Sequence, residues 1–339
     1  MHNLRFGKIL RGLITAALTG CCLAGLAVNV MADSPAREDY ETEVVTGDAD
    51  VKHGWIKISG KWYFYDSDGN RVTDFMELGG HTYYFDSTGV MQTGWVQTDG
   101  FYFYFNTSGQ MQTGWQRIGK KWYYFDTDGV MTKGLAGLDG KTYYFLESGQ
   151  MQTGWVQLDG YYYYFTSSGA MAEDCWQKIG KKWYYFDCEG VMITGLAGLD
   201  GKTYYFLESG QMQTGWVQLD GCYYYFTSSG AMAEECWQKI GKKWYYFDPE
   251  GVMTTGLAGL DGKTYYFLES GQMQTGWVQL DGCYYYFTSS GAMVEGSWQK
   301  IGKQWYYFDS EGVMAANKTL EIDGIEYTFD ANGHYKKAM

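Results

Sequence analysis

Five pairs of tryptophans stand seven residues apart, and they are the side chains of this sequence best suited to chemistry. An indole face attracts a cation that has no hydrogen-bond donors of its own. Other copies of the same sequence template hold Leu135 and Thr142 at the two tryptophan positions, so the template does not require the indoles. The pairs therefore indicate binding sites. They are Trp55 and Trp62, Trp115 and Trp122, Trp176 and Trp183, Trp237 and Trp244, and Trp298 and Trp305.

Other kinds of site do not assemble from the residue pattern. The Asp-rich segments 66–70 and 126–129 resemble calcium loops, but their glycine falls at the fourth place rather than the sixth, and turn formation explains them. The histidines are scattered, which favours neither a zinc site nor a His-based catalytic set. We therefore expect no cofactor, no metal and no catalytic residue, and we do not expect an enzyme.

The elements that must position the tryptophans are copies of one module. Residues 134–160 recur without change at 195–221 and again at 256–282, and identity at a fixed offset is typical of a repeat architecture. In the module that begins at Gly154, two β-favouring runs, 155–158 and 162–165, flank Asp159-Gly160. That dipeptide supplies the positive φ angles of a tight hairpin turn. Each module of about 20 residues is thus predicted to form a β-hairpin that must stack on its neighbours.

The modules dominate the predicted domain organisation. Residues 1–32 combine basic residues with an apolar run and end in Val30-Met31-Ala32, which predicts a secretory signal peptide. An uncleaved anchor, or lipidation at Cys21 in a lipobox-like Leu-Thr-Gly-Cys, are the alternatives. Residues 33–53 are predicted to be an acidic flexible spacer, residues 54–316 an array of thirteen hairpin repeats, and residues 317–339 a degenerate capping repeat.

Charge and cysteine usage exclude several partners. The formal net charge is −13, and loss of the signal, which holds three basic and no acidic residues, makes it −16. A chain this acidic is a poor ligand for nucleic acid or an anionic membrane. No second apolar run is long enough to span a membrane. Five cysteines remain after the signal, so at least one thiol stays free or pairs between chains.

Several short motifs resemble a known repeat family. Gly114-Trp115, the run Lys-Trp-Tyr-Tyr-Phe-Asp at 121–126 and Gly-Val-Met at 129–131 resemble the cell-wall-binding, or choline-binding, repeat of Gram-positive surface proteins. The Leu/Thr modules, with Lys-Thr-Tyr-Tyr-Phe at 141–145, are also similar to repeats of glucan-binding enzymes and clostridial toxins. The resemblance implies an all-β solenoid of stacked hairpins with about three hairpins per turn.

The resemblance also implies where a ligand binds. In such repeats an aromatic cage forms from the two tryptophans of one hairpin and an aromatic ring of the next. Strand alternation, carried into the next module in the same phase, selects the third rings; these are Tyr84, Tyr144, Tyr205 and Tyr266. The fifth pair would lack a third ring because Thr328 takes its place, and the Leu/Thr modules would form no cage. Cages are therefore expected about once per turn.

These observations together predict a secreted, non-catalytic protein at a cell surface. Its expected partner is choline-decorated teichoic acid or a similar envelope polysaccharide, and a homodimer is allowed. Two alternatives stay open. One is a binder of neutral glycans, such as a glucan or a host oligosaccharide, and the other is an adhesive or structural spacer whose aromatic side chains all serve the core.

Overall fold

The computed structural model describes residues 53–337, and in that range the chain forms strands and turns only. It divides into two compact units, Met1–Val72 and Thr73–Met339, which are described separately below. The predicted signal peptide and all but one residue of the predicted spacer lie outside the described residues. Within the described range, no helix is long and apolar enough to cross a membrane.

The strands pair two by two as antiparallel hairpins. The first unit holds one hairpin, β1 (Gly54–Ile58) and β2 (Lys61–Tyr65). The second unit holds the others: β3 (Asp74–Leu78), β4 (His81–Phe85), β5 (Gly94–Thr98), β6 (Phe101–Phe105), β7 (Gly114–Ile118), β8 (Lys121–Phe125), β9 (Gly134–Leu138), β10 (Lys141–Phe145), β11 (Gly154–Leu158), β12 (Tyr161–Phe165), β13 (Cys175–Ile179), β14 (Lys182–Phe186), β15 (Gly195–Leu199), β16 (Lys202–Phe206), β17 (Gly215–Leu219), β18 (Cys222–Phe226), β19 (Cys236–Ile240), β20 (Lys243–Phe247), β21 (Gly256–Leu260), β22 (Lys263–Phe267), β23 (Gly276–Leu280), β24 (Cys283–Phe287), β25 (Ser297–Ile301), β26 (Gln304–Phe308), β27 (Lys318–Ile322) and β28 (Ile325–Phe329). A short strand, β29 (Tyr335–Lys337), pairs with β28 and makes the last sheet three-stranded.

Two turns of different kinds shape each module. The hairpin turn at Asp159-Gly160 has φ angles of 50° and 88°, the pair of positive values that a two-residue turn between twisted strands requires. The second turn follows the aromatic strand. There, the Asp126 carboxylate accepts hydrogen bonds from the backbone N–H groups of Asp128 and Val130, at 3.0 and 2.8 Å. The acidic residues of these segments thus stabilise turns, as their sequence pattern indicates.

Strand pairing gives every hairpin two unlike faces, which we call front and back. In the β7–β8 hairpin, the front face carries Trp115, Arg117, Trp122 and Tyr124, and the back face carries Gln116, Tyr123 and Phe125. The front of this hairpin packs on the back of the next, because Trp115 contacts Tyr143 and Phe145 with ring centroids 4.8 and 5.7 Å away. Hairpins of the second unit therefore stack front to back.

A column of phenylalanines forms the core of the second unit. The last residue of each aromatic strand, from Phe85 to Phe308, is fully buried. Between modules, the Met151 N–H donates to the Trp122 carbonyl at 2.8 Å, and the same bond recurs along the stack. Tyr123, Phe125 and Met131 are buried together in one cluster. The predicted all-β solenoid of stacked hairpins is confirmed.

The last hairpin presents a polar front face. Thr319 pairs with Thr328, and their hydroxyls lie 3.0 Å apart, while Glu321 pairs with Glu326. All four side chains are exposed. Aromatic and basic residues occupy these positions in the β7–β8 hairpin, so the last module keeps the aromatic back face that packs on its neighbour and loses the aromatic front.

Candidate ligand-binding cages

Three rings meet at each junction that follows a Trp/Trp module of the second unit. Trp115 and Trp122 stand nearly perpendicular, at 86° with 6.3 Å between centroids, and Tyr143 of the next hairpin lies 4.8 Å from Trp115. Trp122 is 42% exposed, so its indole is open to solvent rather than sealed in the core. The same arrangement, which we call a Trp/Trp cage, recurs with Trp176, Trp183 and Tyr204, and with Trp237, Trp244 and Tyr265.

The prediction that Tyr144, Tyr205 and Tyr266 lie beside these tryptophans is wrong. Tyr144 lies on the front face of its own hairpin and points onward, with its ring 5.9 Å from that of Phe165. Tyr205 and Tyr266 likewise face the following phenylalanine, at 6.0 Å. Front-to-back stacking is the reason, because the ring that meets a front-face tryptophan must come from the opposite face of the next hairpin.

Tyr84 shares this front-face register, and its ring lies 6.2 Å from that of Phe105. In the first unit, the rings of Trp55 and Trp62 stand perpendicular at 6.3 Å, as do those of Trp115 and Trp122. This pair therefore has the same local geometry as the pairs of the second unit.

The fifth pair, Trp298 and Trp305, does have a third ring, so the prediction that it lacks one is wrong. Tyr327, not Thr328, lies beside Trp298, at 4.9 Å. Tyr335 on β29 adds a fourth ring 5.0 Å from Trp298, at the position where internal modules have methionine. Trp298, Trp305, Tyr327 and Tyr335 line an open cavity of about 300 Å³.

Sequence reasoning missed a second group of cages, at the junctions after the Trp/Tyr modules. Trp155 and Tyr162 of one hairpin meet Tyr184 of the next, which lies 5.0 Å from Trp155, around a cavity of about 310 Å³. Met192, Glu208 and Ser209 complete the lining. Three further junctions share this Trp/Tyr cage, formed by Trp95, Tyr102 and Tyr123, by Trp216, Tyr223 and Tyr245, and by Trp277, Tyr284 and Tyr306. The seven-residue spacing of Trp and Tyr was the signal available.

One tyrosine next to the cages has a shifted pKa with a local cause. The Tyr185 hydroxyl donates a 2.6 Å hydrogen bond to the Asp174 carboxylate, and this bond raises the pKa of Tyr185 to about 12. Tyr185 is the cross-strand partner of Trp176 on the front face, 5.3 Å away. Its phenol is therefore neutral and oriented throughout the neutral pH range.

Two family models match this sequence. A model described as the choline-binding repeat matches residues 72–113, 112–151, 134–176, 193–237, 254–298 and 294–337, which cover well over half of the chain. The chain belongs to the choline-binding repeat family. A second model, for a cell wall binding repeat, matches residues 53–70, 176–192 and 237–253.

Two proteins of known structure from Streptococcus pneumoniae are similar in sequence to most of the chain. CbpJ from Streptococcus pneumoniae TIGR4 is 32% identical to the chain, with a TM-score of 0.43. The match spans 78% of this chain and 99% of CbpJ. Choline binding protein F of Streptococcus pneumoniae is 28% identical, with 98% of it and 84% of this chain covered and a TM-score of 0.48. Comparison with curated proteins gives no match.

The junctions of these choline-binding repeats that follow Leu/Thr modules offer only one cage ring. Leu135 and Thr142 replace the two aromatic residues of the first hairpin. Among residues 53–337, no group of three or more His, Cys, Asp or Glu side chains could hold a metal ion. The thiols of Cys175, Cys188, Cys222, Cys236 and Cys283 are free. Ring faces are therefore the main recognition chemistry that the described repeats present.

Proposed function

We propose that the chain is a non-catalytic, secreted binder that attaches to a cell envelope through quaternary ammonium groups held in its aromatic cages. The proposed partner is choline-decorated teichoic acid or a similar polymer. The observation that carries the proposal is the recurrence of three converging rings, two on one hairpin and one on the next, with the outer indole open to solvent.

The physical basis is the ring quadrupole. A quaternary ammonium cannot donate hydrogen bonds, so it gains from apolar contact and from the negative faces of several rings. Three rings contribute about 0.5 to 2 kcal/mol each, which corresponds to roughly millimolar affinity for one cage.

Weak sites become effective because the chain repeats them. Trp/Trp and Trp/Tyr cages follow two of every three modules, so one chain can engage many groups of a polymer that displays the ligand repeatedly. Linked weak sites of this kind raise the overall affinity by about 10² to 10⁴ over one site. The chain should therefore bind a choline-bearing polymer more tightly than its affinity for free choline indicates.

The test is retention of the full mature chain on a quaternary-amine matrix, followed by elution with choline. We expect retention, specific elution, and a change in tryptophan fluorescence during choline titration. The matched control is a chain with Thr in place of the outer cage aromatics, the residue that Thr142, Thr203 and Thr264 already place in the template. This control should fold and flow through.

Two results would contradict the proposal. Unchanged fluorescence with excess choline, together with hits on a glycan array, would identify the chain as a binder of neutral glycans. Absence of both kinds of binding, with a folded chain, would leave a structural spacer.

A further inference from the structure

The two kinds of cage differ in the charge at their rims. In the Trp/Trp modules a basic residue is the direct cross-strand neighbour of the outer tryptophan on the front face. These neighbours are Lys57 with Trp62, Arg117 with Trp122, Lys178 with Trp183, Lys239 with Trp244, and Lys300 with Trp305. The ammonium groups of Lys57, Lys178 and Lys239 lie 5.4, 5.7 and 5.8 Å from the centre of their indole. A positive charge thus stands at the rim of the cage.

The Trp/Tyr modules place a neutral glutamine at the same point. The pairs are Gln97 with Tyr102, Gln157 with Tyr162, Gln218 with Tyr223, and Gln279 with Tyr284. The exposed side chain of Glu208, from the turn after β16, also lines the cavity of Trp155 and Tyr162. At the cage of Trp95 and Tyr102, Lys133 lies 5.4 Å from the centre of the Tyr102 ring and 3.6 Å from the Glu147 carboxylate. A carboxylate therefore lines the Trp155 cage, whereas at the Trp95 cage the Glu147 carboxylate pairs with the lysine that lies over the Tyr102 ring.

We propose, building on the proposed function, that the Trp/Trp cages select a zwitterion while the Trp/Tyr cages select a bare cation. A rim ammonium repels a lone quaternary ammonium and attracts an anionic substituent a few ångströms from it, as in a phosphate ester of choline. A rim carboxylate has the opposite preference.

The first experiment separates the two sets with a residue that the template already uses. One full-length chain carries Thr at Tyr102, Tyr162, Tyr223 and Tyr284 and keeps the Trp/Trp cages; the other carries Thr at Trp62, Trp122, Trp183, Trp244 and Trp305 and keeps the Trp/Tyr cages. Choline and phosphocholine are titrated into each by calorimetry at low salt.

We expect the ratio of the choline Kd to the phosphocholine Kd to be about two- to five-fold higher in the chain that keeps the Trp/Trp cages. The difference should shrink at high salt, because exposed charges are screened. Equal ratios in the two chains would overturn the inference while leaving the proposed function intact. Absence of binding of either compound to the wild-type chain would instead overturn the proposed function.

The second experiment assigns the effect to the rim charge. Gln replaces Arg117, Lys178, Lys239 and Lys300 in one chain, and replaces the hairpin-tip residues Lys120, Lys181, Lys242 and Lys303 in the control, which loses the same formal charge. We expect the preference for phosphocholine to fall in the first chain and to persist in the control. An equal fall in both would mean that net charge, not the cage rim, sets the preference, and would overturn the inference.

Discussion

The ring of Tyr143 packs edge-on against Trp115 of the preceding hairpin, with 4.8 Å between ring centroids and 69° between ring planes. This contact joins the back face of one hairpin to the front face of another. It therefore places one wall of the cage on a different module from the two tryptophans. Ligand binding must depend on how the two hairpins pack together as well as on each hairpin.

Replacing Tyr143 with Ala should remove one choline site, because it deletes the third ring of the Trp115 cage. Tyr144→Ala is the control, since Tyr144 faces Phe165 instead. The number of choline molecules bound per chain, measured by equilibrium dialysis, should fall by one for the first change only. If Tyr144→Ala lost a site and Tyr143→Ala kept all of them, Tyr144 would be the third ring, as strand alternation predicts.

A new cage should arise when the Leu/Thr module at β9–β10 receives the missing rings. Leu135→Trp together with Thr142→Tyr supplies two aromatic residues at a junction where Tyr163 already has the position that Tyr143 has one module earlier. We expect one additional choline per chain in the same dialysis measurement. Leu135→Trp alone should add none, and an unchanged number in the double variant would show that three rings do not suffice.

The terminal cage should be the tightest, because Tyr335 gives it a fourth ring. Tyr335→Met restores the residue found at this point in internal modules and should weaken the tightest phase of a choline fluorescence titration by about 3- to 10-fold. Tyr335→Phe keeps a ring face and should bind nearly as the wild type does. Equal affinities for all three chains would mean that Tyr335 only caps the stack.

Stability should depend on pH above 10 through Tyr185. The Asp174 hydrogen bond holds the pKa of Tyr185 at about 12 in the folded chain, above the value of about 10 expected when unfolded. The folded state then retains the phenol proton that the unfolded state loses, so this stability is present below pH 10 and disappears as the pH rises to about 12. Asp174→Gly, which copies Gly296 at the matching position, should remove this dependence in urea unfolding and lower the Tyr185 pKa in tyrosinate absorbance.

Gly149→Ala should destabilise the stack because two constraints meet at this residue. Its φ is +76°, and an added Cβ would lie 2.1 Å from the sulfur of Met131 in the preceding module. The left-handed backbone alone costs a residue with a side chain about 1 to 2 kcal/mol. Gly137→Ala is the control. Residue 137 does not have a positive φ, and a Cβ added there would meet open space. Urea midpoints for both variants provide the comparison, and equal midpoints would contradict the expected constraint.

The hairpins and turns were predictable because their causes are local. Asp159-Gly160 and the Asp126 turn each depend on residues within a few positions, and the exact repeats supply many copies of the same evidence. The choice between Tyr143 and Tyr144 was not predictable in this way, because it depends on which face of one hairpin meets which face of the next. The sequence of a single module does not determine which of its faces packs on the next hairpin.

The Trp/Tyr cages were missed for a different reason. Trp155 and Tyr162 have the same spacing as the Trp pairs, but tyrosine is also common as a core residue in these modules, so residue type alone does not mark this pair as a site. Tyr327 is not predictable for the same reason as Tyr143, because it lies on the back face of its hairpin, and strand alternation carried over in phase selects Thr328 instead. Tyr335 reaches that cage only because β29 pairs with β28, a pairing that occurs once among the described strands.

A stack built front to back has no intrinsic end, since each hairpin offers the same kind of surface to whatever comes next. Contacts of this head-to-tail kind between separate molecules generate open filaments. The paired Glu321 and Glu326 and the paired Thr319 and Thr328 replace the adhesive surface at the C-terminal end. A further hairpin packed on this front face would bury the adjacent carboxylates of Glu321 and Glu326 without a basic partner, so this face opposes the head-to-tail contact that joins the modules.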